Sequence, residues 1–75
     1  MKKLVKFDYS KLLGKIKEKG LIQAEFARMI GISPTTFSLV LSGEAFLRQP
    51  TIEIACDVLG INRKDIPLYF FTLEV

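Results

Sequence analysis

The 75 residues predict an all-α fold, a compact four- to five-helix bundle carrying a short β-ribbon at its termini. Three observations predict it. Apolar residues recur at helical spacing in successive segments between Asp8 and Leu59. Glycine follows each segment, at Gly20, Gly31, Gly43 and Gly60, where a left-handed residue closes a helix. Only the last residues change to a period of two.

The first helix is expected to start at Asp8, a good N-cap. Tyr9, Leu12, Leu13 and Ile16 fall within an arc of about 100° and make its core face, with Lys11, Lys15 and Lys19 down one flank. A second helix covers Ile22 to Ile30, with Ile22, Phe26 and Ile30 as its apolar stripe and Glu25 and Arg28 outward. Ser33-Pro34 restarts the chain, since serine caps and proline fits the first helical position. That third helix runs to Leu41 and closes at Ser42-Gly43.

Pro50 or Thr51 opens a fourth helix to Leu59, with Ile52, Ala55, Cys56 and Leu59 on one face. Asn62 and Asp65 have capping-box spacing for one more turn, and Pro67 argues against a long fifth helix. Phe71, Leu73 and Val75 alternate with Phe70, Thr72 and Glu74, and this tail is expected to pair with Leu4–Phe7.

Composition limits the function classes. The chain forms one domain, residues 1–75, too small to bury a large core, so dimerisation is expected to help it. One cysteine and no histidine rule out an intrachain disulfide and leave too few ligands for structural zinc. There is no histidine base, no paired carboxylate cluster and no phosphate-binding glycine loop, so neither catalysis, nor a cofactor, nor a small-molecule ligand is expected. Leu4–Phe7 is too short for a membrane span, and a soluble, cytoplasmic protein is expected. Net charge is +3, concentrated in seven lysines among the first twenty residues. Such a cluster either neutralises phosphates or is simply a solvated face.

The informative segment runs from Gln23 to Ser42. Two short helices crossing steeply through a tight turn need a small residue at their contact, which Ala27 supplies. They need a residue tolerating positive φ at the turn, which Gly31 supplies. Phe26, Ile30, Ile32, Phe37 and Val40 stand where apolar side chains must fill the angle.

This spacing is similar to the helix-turn-helix of the phage repressor and Cro superfamily, the xenobiotic-response-element class, over roughly residues 8 to 60. Phe7-Asp8-Tyr9-Ser10-Lys11-Leu12 and Tyr69-Phe70-Phe71-Thr72 also resemble a group of small phage-encoded regulators. The resemblance implies that residues 33–42 enter the major groove of operator DNA, with Pro34, Thr35, Ser38, Leu39 and Ser42 as base contacts. It implies backbone contacts from Gln23, Arg28, Ser33, Thr36, Arg48, Gln49, Lys11 and Lys15, although Arg28 could instead pair with Glu25. The base-facing set departs from the family's usual Gln, Arg, Lys or Asn. Such a face reads bases weakly, or reads DNA shape.

A homodimer is expected, over Ile54 and Val58 on the fourth helix, or over Phe71, Leu73 and Val75. The same residues could equally pack inside one chain. The leading expectation is a Cro-like transcriptional regulator of bacterial or prophage origin that occupies double-stranded operator DNA. The rival is a protein-interaction module that binds another regulator as an antirepressor.

Overall fold

A computed structural model describes residues 7–73. The described chain is all-α: α1 Ser10–Glu18, α2 Gln23–Met29, α3 Pro34–Leu41 and α4 Gln49–Leu59. A single 3₁₀ turn, Arg63–Asp65, then leads into α5, Ile66–Phe70. Their apolar faces meet in one core of Tyr9, Leu12, Ile16, Phe26, Ala27, Ile30, Phe37, Val40, Ile52, Ala55, Cys56, Leu59, Ile61 and Phe70. The arc expected on α1 and the face expected on α4 are both part of it, except that Leu13 is only half-buried.

Helix starts differ from the expected ones by one or two residues, for identifiable reasons. Asp8 caps α1 from one position further out. Its Oδ1 accepts from the Ser10 backbone N–H at 2.9 Å and from the Ser10 hydroxyl, while Tyr9 takes the N-cap backbone position. These two hydrogen bonds from Ser10 hold the Asp8 carboxyl below its ordinary value. α4 begins at Gln49, so that Pro50 lies within the first turn, where its missing N–H costs nothing.

Ile22 was expected on the core stripe of α2, and the structure corrects this. It is the N-cap, with extended backbone (φ −95°, ψ 162°), so its side chain leaves the helical stripe and is 63% exposed. Glu25 supplies the cap from inside the helix, accepting from the Ile22 N–H at 3.1 Å.

Gly31 makes the turn between α2 and α3. At φ +87° its N–H reaches the Arg28 carbonyl (3.1 Å), and the Ile32 N–H reaches the Ala27 carbonyl (3.0 Å). This pairing satisfies the carbonyls at the end of α2 and points the chain into Ser33. Ser33 then caps α3, its Oγ accepting from the Thr36 N–H at 3.0 Å.

Among the described residues the terminal ribbon is a single contact. Phe7 and Leu73 form one antiparallel bridge, and the Asp8 N–H donates to the Thr72 carbonyl at 2.6 Å. Phe70, read as strand from its alternation, ends α5 and is buried in the core. Pro67 lies in the first turn of α5, where proline is tolerated, and α5 is five residues long. The remaining ribbon residues, Leu4, Val5, Lys6, Glu74 and Val75, lie outside the described residues.

Arg63 ties the 3₁₀ turn to α4 through Glu53 and, at 3.7 Å, Asp57. Cys56 is 1% exposed, and burial pushes its thiol above the ordinary value, with Glu53 adding to the shift. A maleimide at neutral pH is therefore expected to label Cys56 only after denaturant is added. Rapid labelling of the native chain would mean that the core opens readily.

Candidate functional site

α2 and α3 pack on one another through Phe26 and Phe37, whose rings meet edge-on with centroids 5.5 Å apart. Ala27 is fully buried at 0% exposure, as a close helix contact requires. With Phe37 and Val40 turned inward, α3 presents Pro34, Thr35, Thr36, Ser38 and Leu39 to solvent, followed by Ser42. The five residues expected to touch bases therefore do share an exposed face.

Their hydrogen-bonding capacity is smaller than the sequence suggests. The Ser42 hydroxyl lies 3.0 Å from both the Leu39 carbonyl and Glu44 Oε2, so its one proton is used inside the chain. Ser33 caps α3 and gives its own proton to Thr36 Oγ1 at 2.9 Å. Gln49 donates its amide to Glu53 at 3.1 Å, and Lys15 lies 3.6 Å from Glu18. Gln23, Arg28, Arg48 and Lys11 stand exposed, and Glu25 is committed to the α2 cap rather than to Arg28. On α3 itself, Thr35, Thr36 and Ser38 supply the exposed hydroxyls beside the apolar Leu39, with Thr36 Oγ1 accepting from Ser33.

Sequence reasoning missed the apolar character of the surrounding surface. Met29, on α2 within the segment read as polar and DNA-facing, is 52% exposed; Ile22 (63%) and Phe46 (61%) are exposed elsewhere, Ile22 beside α1 and Phe46 against Phe7. Spacing alone did not reveal it, since Met29 lies three residues after Phe26, and its exposure follows from the core lying on the Ala27 and Ile30 side of α2. Of the dimer candidates, Ile54, Phe71 and Leu73 are 45%, 46% and 61% exposed, Val58 packs partly on the core, and Val75 lies outside the described residues.

Among the described residues no cluster of three His, Cys, Asp or Glu side chains could hold a metal ion. No helix among them is long and apolar enough to cross a membrane.

Residues 5–73 match the family described as Protein of unknown function (DUF739). The chain belongs to the DUF739 family. This DUF739 chain is also similar to a solved structure, the solution structure of the modulator of repression (MOR) of the temperate bacteriophage TP901-1 from Lactococcus lactis. The two are 46% identical, the match covers 87% of this chain and 88% of that one, and the TM-score is 0.74. No curated protein matches. The DUF739 chain is thus a relative of a small phage regulator, as its two terminal segments suggested.

Proposed function

We propose that this chain binds another regulator protein of a phage repression circuit, using the exposed face of its helix-turn-helix, and acts as an antirepressor-like module. The observation that carries this reading is the chemistry of that face. Between Gln23 and Ser42 a single base, Arg28, stands against a single acid, Glu25. The end of α3 adds the Glu44 carboxylate, held at Ser42.

Duplex DNA carries one phosphate charge per about 1.7 Å of its axis, so its proteins surround the reading helix with cations. Here Leu39 and hydroxyls occupy the face, with Met29 exposed on α2. Exposed methionine and aliphatic side chains suit a protein partner better than phosphates. The similar phage protein is named for modulating repression, which agrees with an action on a regulator. A homodimer over Ile54, Phe71 and Leu73 belongs to the same proposal.

The second reading, operator binding by α3 with Thr35 and Ser38 at the bases, is favoured by exposed Gln23, Arg28 and Arg48 around an intact turn. One experiment separates the two. The chain is titrated by fluorescence anisotropy against a duplex DNA pool at about 50 mM and about 200 mM salt. It is also titrated against a repressor-type helix-turn-helix protein encoded with it, with sedimentation giving the stoichiometry. The proposal predicts a stable complex with the repressor and negligible DNA affinity at both salts. Salt-sensitive DNA binding by the chain alone, with no repressor complex, would overturn it.

A further inference from the structure

We draw no further inference here: the strongest candidate, the exposed aromatic patch that Phe46 and Phe71 form about Phe7 where the α3–α4 loop meets the C-terminal tail, is an apolar face, and nothing in the structure shows what covers it.

Discussion

Phe37→Ala is expected to lower the melting temperature sharply and leave the chain only marginally folded at 25 °C. The Phe37 ring is 1% exposed and meets the Phe26 ring edge-on across the turn between α2 and α3. Removing it forfeits the transfer energy of a large apolar side chain, an aromatic pair and the packing around the cavity left behind. Such truncations cost about 3–5 kcal/mol. Domains as a class are stable by only about 5–15 kcal/mol, and a chain of this size buries a smaller share of its surface than most.

Most of the margin therefore disappears with one side chain. Thermal denaturation followed by circular dichroism checks this, with Phe37→Leu, which keeps most of the apolar volume, expected to remain folded. A Phe37→Ala variant melting within a few degrees of the parent would show that the two helices are held mainly by other contacts.

Leu39→Glu is expected to abolish binding to the partner regulator while leaving the fold intact. Leu39 is 39% exposed in the middle of the α3 face, so its replacement creates no cavity, and the change in stability should stay within about 0.5 kcal/mol. In an interface the same change removes an apolar anchor and buries a carboxylate. A hot-spot loss of at least about 2 kcal/mol, more than about thirtyfold in affinity, follows.

Leu39→Lys distinguishes protein binding from DNA binding by sign. A lysine at this position would strengthen a contact with phosphates but weaken one with an apolar pocket. Isothermal titration of both variants, with the parent melting curve as control, reads the outcome. Tighter DNA binding by Leu39→Lys would favour the operator reading.

The helical parts of the fold were legible because their signals are local. Leu12 with Ile16, Phe26 with Ile30, and Ile52 with Cys56 repeat at the helical period, and all six are buried. Gly20, Gly31, Gly43 and Gly60 all adopt positive φ at the ends of helices. The candidate site was legible in outline only. Thr35, Ser38 and Leu39 could be placed on one exposed face from spacing, but the polar side chains around them could not be assigned partners. Ser42, Ser33 and Gln49 are each satisfied within the chain, by Glu44, Thr36 and Glu53, and these pairings depend on side-chain direction rather than on sequence distance.

The tail and Ile22 show where local reading fails. A period of two from Phe70 to Val75 is a valid strand signal, yet Phe70 finishes α5 because its ring can be buried in the core from there. Ile22 carries the right residue type at the right spacing, yet the backbone leaves the helix at that residue and turns the side chain outward. By itself, then, the sequence determined the all-α class, the order of the helices and most of the residues that build the core, Ile61 and Phe70 excepted. Periodicity and capping act over one or two turns, and those distances are contained in the chain. Tertiary structure alone decided which exposed side chains remain free, which apolar side chains are left uncovered, and that Phe70 joins α5 rather than a strand. Each of these depends on which elements meet in space, and burial outweighs local propensity wherever the two disagree.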